Sequence, residues 1–228
     1  MTGTRLAVFD LDGTLVDSPR AIVATFTEVL ALLGSPARQP EAIRATIGMP
    51  MEKAFGTLLG VAADDPLVAS GVEHYQQVFR KLVLPRAREL VFPGVADGLA
   101  ELADAGVALA VATSKFRRSA DALLDAAGLA GLFELVVGAD EVRNPKPHPE
   151  IGEKILHALD VPAARAVMVG DTTHDVLMAH ATGMRAIAVT YGVHDRAELA
   201  TARPHRYADA FPEVVVMVRT TAQEEAVL

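Results

Sequence analysis

A chain of 228 residues has room for one large domain or for a core with a smaller insertion, and at 51% hydrophobic and 22% charged it can fill a packed interior. Its net charge of -8 argues against a nucleic-acid partner, because phosphate backbones are gripped by positive surface, yet it leaves open a small anion held beside a divalent cation. The lack of cysteine excludes a disulfide scaffold, a thiol nucleophile and a thiolate metal site, so oxygen and imidazole ligands remain and favour a hard cation such as magnesium.

In chain order, Met1 to Arg5 run straight into an apolar stretch, Leu6 to Phe9, which reads as a first strand. No secretory leader precedes it and no run is long enough to span a bilayer, so a cytoplasmic protein with no membrane partner is expected. From about Ser18 to Leu90 the pattern turns helical, over Ala21 to Leu33, Glu41 to Ile47, Met51 to Leu59 and Pro66 to Leu82. Pro19, Pro36, Pro50 and Pro66 sit near the starts of these segments, where proline is tolerated. Val16-Asp17-Ser18 and Phe92-Pro93-Gly94 read as the linkers at its two borders.

After this block, apolar runs at Val107 to Ala112, Leu135 to Val137, Ala166 to Val169 and Ala186 to Val189 read as strands buried on both faces. Helical segments at Val95 to Ala105, Arg118 to Ala127, Pro149 to Leu159 and Asp175 to Thr182 alternate with them, and a last helix is expected over Pro212 to Val218. Gly106, Gly128 and Gly183 serve as stops for three of these helices. The pattern predicts an α/β fold, a doubly wound parallel sheet with an inserted α-helical cap. The core takes residues 1–17 and 91–228, and the cap residues 18–90.

The first strand runs into Asp10-Leu11-Asp12-Gly13-Thr14-Leu15-Val16-Asp17. Two carboxylates two residues apart, at the carboxyl end of a buried parallel strand, lie where open α/β sheets bind ligands. Buried carboxylates need a partner, and a metal ion supplies one. Gly13 permits a tight turn, and Thr14 can hold the local backbone or a phosphoryl oxygen.

This string resembles the first motif of the haloacid dehalogenase superfamily, and three further elements follow in the expected order. They are Leu109-Ala110-Val111-Ala112-Thr113-Ser114-Lys115, Asn144-Pro145-Lys146-Pro147-His148-Pro149 and Val169-Gly170-Asp171-Thr172-Thr173-His174-Asp175. The resemblance implies a Rossmann-like core and a magnesium-dependent phosphatase acting on a small phosphorylated metabolite. It makes Asp10 the nucleophile that forms an aspartyl-phosphate, and Asp12 the general acid and then base. Thr113, with the amide that follows it, would hold a phosphoryl oxygen, Lys146 would neutralise charge on the nucleophile and the transferring group, and Asp10, Asp171 and the main-chain carbonyl of Asp12 would bind Mg2+. Asp175 would support Lys146 or a metal-bound water. Thr14, Ser114, Gly48 and Lys53 are the candidates for phosphate or substrate contact.

Within the resemblance, the phosphoglycolate phosphatase-like subgroup fits the first and last motifs and the early helical cap. Ser114 stands where such relatives often carry asparagine. Nucleotide, pyrophosphate and broad sugar-phosphate hydrolysis stay open. A phosphosugar mutase of the β-phosphoglucomutase type is the alternative, disfavoured because Met51 takes the place of its cap arginine. A dehalogenase or a phosphonate-cleaving relative would lack an acid at Asp12, and a non-catalytic module would have lost Asp10, Lys146 or Asp171. The segment Ile47 to Lys53 is the expected specificity loop, with Arg44, Lys53 and Arg80 as cap cations. His148, His174 and His194 lie near the motifs without an assigned role.

Overall fold

Four residues, Leu6–Phe9, make the strand that organises the molecule (β1). They have no surface exposure. Their side chains alternate, as a strand requires. Ala7 and Phe9 enter one apolar cluster and Leu6 and Val8 the other, on opposite faces of the sheet. The computed structural model describes residues 6–221.

Among the described residues β1 is joined by β2 (Ala108–Ala112), β3 (Leu135–Val137), β4 (Ala166–Gly170), β5 (Arg185–Val189) and β6 (Arg206–Ala208). All pair in parallel, in the spatial order β3-β2-β1-β4-β5-β6. The strand order therefore reverses between β1 and β4, which opens a crevice at their carboxyl ends.

The helices are α1 (Pro19–Leu32), α2 (Pro40–Arg44), α3 (Met51–Leu59), α4 (Pro66–Leu82), α5 (Val95–Asp104), α6 (Arg117–Ala127), α7 (Glu150–Ala158), α8 (Thr173–Thr182), α9 (Arg196–Thr201) and α10 (Phe211–Thr221). Leu99 of α5, Leu123 of α6 and Val214 of α10 belong to the cluster that holds Phe9. Ile155 of α7, Val176 of α8 and Leu199 of α9 belong to the cluster that holds Val8. Helices thus cover both faces, as buried parallel strands demand.

α1 to α4 lie between β1 and β2 in the chain and pack on one another. Phe26 of α1 meets Phe55 of α3 and Tyr75 of α4, with ring centroids 4.8 Å apart in each pair. These rings continue the cluster that holds Phe9. The chain enters and leaves the block side by side: the Asp17 amide donates to the Leu90 carbonyl at 2.6 Å and the Phe92 amide to the Leu15 carbonyl at 3.1 Å.

The expected strands are present within a residue at their ends. β6 was not expected. It is three residues long, with Arg206 exposed and Tyr207 half-buried, so no apolar run marks it. The short α9 also escaped the reading, and α10 extends past both ends of its expected span.

Candidate active site

The crevice at the sheet reversal is lined by acids. Asp10 follows β1 and its amide donates to the Val169 carbonyl of β4 at 2.9 Å, while Asp171 follows β4 directly. Both are buried. Two adjacent parallel strands thereby deliver two carboxylates to one point without any long-range search by flexible loops.

Lys146 reaches this point from far along the chain. Its Nζ donates to Asp10 Oδ1 at 2.7 Å and to Asp175 Oδ1 at 2.6 Å, all within the interior. Asp175 lies in the first turn of α8, and its Oδ2 accepts from the amide and hydroxyl of Thr172 at 3.0 and 2.7 Å. Asp175 is thus fully engaged as the anchor for Lys146 and the cap of α8.

The charges do not balance. Burial, then the neighbouring Asp175 and Asp12, push the Asp10 carboxyl up to about 7 despite Lys146. Burial and the charges of Asp10 and Asp175 hold Asp171 well above the ordinary carboxylate range. Burial works against the Lys146 ammonium, but the two carboxylates outweigh it and keep it above the usual lysine value. Asp10, Asp171 and Asp175 offer oxygen atoms all within 4.8 Å of one another. A buried, all-oxygen set short of positive charge fits a hard divalent cation such as magnesium.

Asp12 stands two residues beyond Asp10 and is held from both sides. Ser18 Oγ donates to its Oδ1 at 2.6 Å, and Lys115 Nζ pairs with its Oδ2 at 3.0 Å. Lys115 is itself buried, with its ammonium 4.3 Å from the centre of the Phe79 ring. Thr113 Oγ1 accepts from the Lys115 amide at 3.1 Å, which leaves the hydroxyl proton available to the cavity beside Asp10.

That cavity is lined by Asp10, Asp12 and Thr113 from the strand ends and by α1, α3 and α4 with the turn before α3. Gly48 lines it too, and its carbonyl accepts from Ser114 Oγ at 2.7 Å. Ser114 and Gly48, both expected at the substrate, therefore meet each other and join the helical block to the sheet. Arg44 forms a second junction, its Nη2 donating to the carbonyls of Gly192 and Val193 at 2.8 and 3.3 Å.

Two expected substrate contacts lie elsewhere. Thr14 is fully buried and donates to Asp171 Oδ1 at 3.0 Å, so its proton orients a carboxylate and does not face the cavity. Lys53 is exposed and off the cavity wall. Met51, Ala54, Phe55 and Leu58 follow the helical repeat along the inner face of α3, which turns Lys53 outward. That spacing was visible in the sequence.

Arg80 is also exposed. His148 is exposed and accepts from the Glu150 amide, and His194 accepts from the Thr173 amide. His174 Nδ1 is buried without a hydrogen-bond partner, and burial lowers its pKa.

The sequence reading passed over Lys115 and Ser18 as functional residues. Lys115 closes a buried strand's polar tail, and a charge there with no water to meet needs a partner. The partner could not be named without the fold.

Gly13 is required by both conformation and space. Its φ is +91°, and a Cβ there would stand 2.2 Å from Asp171 Oδ2. Gly34 has φ +68° with nothing within 4 Å of such a Cβ, so it isolates the backbone strain. Gly34→Ala should cost about 1–2 kcal/mol. Gly13→Ala should cost clearly more, read as the fall in Tm of the two variants. Equal falls would show that Asp171 is not crowded by residue 13.

Comparison with known proteins is consistent with this geometry. The family model described as haloacid dehalogenase-like hydrolase matches residues 7–189. The chain is 54% identical over 210 residues to "Probable phosphatase IndB" of Dickeya dadantii, covering 92% of this chain and 91% of that one. It is 31% identical over 216 residues to a phosphoglycolate phosphatase of Pseudomonas savastanoi pv. phaseolicola, covering 92% and 78%. The crystal structure of CbbY from Rhodobacter sphaeroides in complex with phosphate superposes with a TM-score of 0.77 at 29% identity, covering 94% and 96%.

Proposed function

The chain belongs to the haloacid dehalogenase-like hydrolase family, and on that premise we propose that it is a magnesium-dependent phosphomonoesterase working through an aspartyl-phosphate on Asp10. One observation carries the reading. A buried aspartate at the carboxyl end of the central strand is hydrogen-bonded to a buried lysine, faces a second strand-end aspartate, and is followed two residues on by a carboxylate held at the cavity wall. The phosphatase names of the relatives at 54% and 31% identity support the same reaction class.

In this mechanism Asp10 attacks phosphorus with its carboxylate oxygen, and the bond from phosphorus to the ester oxygen breaks. Asp12 gives its proton to the departing oxygen, then takes one from the water that cleaves the acyl-phosphate. Ser18 and Lys115 fix the Asp12 carboxyl in place through both steps. Thr113 donates to a phosphoryl oxygen, and Lys146 offsets the negative charge that gathers on Asp10 and the phosphoryl group. Asp10, Asp171 and the Asp12 carbonyl would hold the magnesium ion, which when bound supplies the positive charge this acid-rich site lacks. Thr14 and the Val193 amide orient Asp171 for that role, at 3.0 and 2.7 Å from its two oxygens.

Residues 18–90 serve as a cap that shields the reaction from water. The substrate is a small phosphorylated metabolite, and the phosphoglycolate phosphatase relatives support that ester class without fixing the leaving group. Met51 lines the cavity where a phosphosugar mutase would place a cation, so hydrolysis is favoured over transfer within a bisphosphate.

The test turns on Asp12. Asp12→Asn should lower kcat/KM for an alkyl phosphate by about 10²–10⁴-fold, the usual range for a general acid. The loss should be much smaller for 4-nitrophenyl phosphate, whose leaving group departs without a proton. Equal losses on the two esters would remove the acid role from Asp12.

A further inference from the structure

The cavity wall divides by origin. The strand ends supply the polar groups, Asp10, Asp12, Thr113, Ser114 and Lys115. The helical block supplies chiefly Phe26, Ile47, Met49, Met51 and Tyr75, together with Thr46, whose hydroxyl donates to the Ile43 carbonyl at 2.7 Å, and none of its lining residues carries a charge at neutral pH. The leaving group must occupy the helical side, because phosphorus has to sit against Asp10.

No cation from the helical block lines this cavity among the described residues. Arg44 faces the other way, onto the carbonyls of Gly192 and Val193, and Lys53 is exposed and off the wall. Lys115 is the cation on the wall, and its charge is matched by Asp12 at 3.0 Å and settled over the Phe79 ring. A carboxylate on the leaving group would meet uncharged, mainly apolar side chains on one flank and the Asp12 carboxylate on the other. An unpaired charge in such surroundings is strongly disfavoured. An apolar carbon frame would instead find two aromatic rings, Phe26 and Tyr75, with centroids 4.8 Å apart. The Tyr75 phenol stays protonated, because burial and then the Asp12 charge raise its pKa well above the ordinary value.

We infer that the alcohol released by this phosphatase is uncharged and apolar beside the ester oxygen, and that carboxylated alcohols such as glycolate are disfavoured. This inference rests on the phosphomonoesterase reading above and narrows its substrate class.

The test uses a matched pair, benzyl phosphate and 4-carboxybenzyl phosphate, together with 2-phosphoglycolate, with magnesium present and phosphate release as the readout. The paired alcohols leave with similar ease and differ in one remote charge. Benzyl phosphate should have a kcat/KM at least about tenfold above either carboxylated ester, equivalent to about 1.4 kcal/mol of discrimination. Met51→Arg, which adds a cation to the helical wall, should shrink that ratio by about tenfold or invert it. Circular dichroism would confirm that the variant is folded. A wild-type preference for the carboxylated esters would overturn the inference while leaving the phosphatase reading intact. An unchanged ratio in a folded Met51→Arg would also overturn it, because the wall would then not select charge. No release from any of the three would take down the phosphatase reading and this inference together.

Discussion

Asp10→Asn should abolish phosphate release while leaving the protein folded. Asparagine keeps the shape of the side chain but cannot form the acyl-phosphate, so the loss should be at least about 10³-fold, as expected for removal of a nucleophile. Stability should move little. Lys146 keeps Asp175, so no buried cation is left alone.

The pH dependence separates the two effects. Burial raises the Asp10 carboxyl from 3.8 to about 7, so between those values the folded state holds a proton that the unfolded chain has lost. This contribution is present at low pH and is lost as pH rises through that window. In metal-free protein, Asp10→Asn should therefore gain stability relative to wild type as pH goes from 5 to 8, seen as converging or crossing Tm curves. Residual turnover within tenfold of wild type would remove Asp10 from the nucleophile's place. Parallel Tm curves would show that its burial does not perturb it.

Magnesium should stabilise the protein as well as activate it. A cation that binds only the folded state contributes about 2.7 kcal/mol at a concentration of 100 Kd. For a chain of this length that is a rise in Tm of roughly 5–10 °C. The sign of its pH dependence is fixed by Asp10 and Asp171, whose pKa values burial raises first of all. Their protons must leave before the ion can bind, so the rise should be larger at pH 8 than at pH 6. Asp171→Asn should lose most of it, and chelation should reverse both the rise and the activity. A full rise in Asp171→Asn would place the ion elsewhere, and metal-independent hydrolysis would overturn the site.

Much of this centre was legible before the fold was known. Asp10, Asp12, Thr113, Asp171 and Asp175 each follow a buried strand or open a helix, while Lys146 lies in the proline-flanked turn ahead of α7. Strand ends are where a parallel sheet presents polar groups. The sheet order then explains why Asp10 and Asp171 meet, since β1 and β4 are neighbours. Lys146 was legible by motif, but not its two carboxylate partners, because they lie 136 and 29 residues away. Thr14 and Lys53 were assigned to the substrate for their chemistry, and direction decided otherwise. One points down to Asp171 and the other lies on the outer face of α3. β6 was illegible because an edge strand of three residues, only Ala208 of them buried, is too short to carry a periodic signal.

The loop after β5 has two tenants. The Val193 amide donates to Asp171 Oδ2 at 2.7 Å, and the carbonyls of Gly192 and Val193 accept from Arg44. A ligand that lifted the helical block would work on this loop through Arg44, and an ion that drew on Asp171 would work on it through Val193. Two binding events that bias one short segment are linked, and linkage is reciprocal: whatever factor the ion applies to the ester's affinity, the ester applies to the ion's. If the ion is magnesium, as proposed, its apparent affinity should depend on the ester present as well as on the carboxylates, and replacing Arg44 should weaken that dependence.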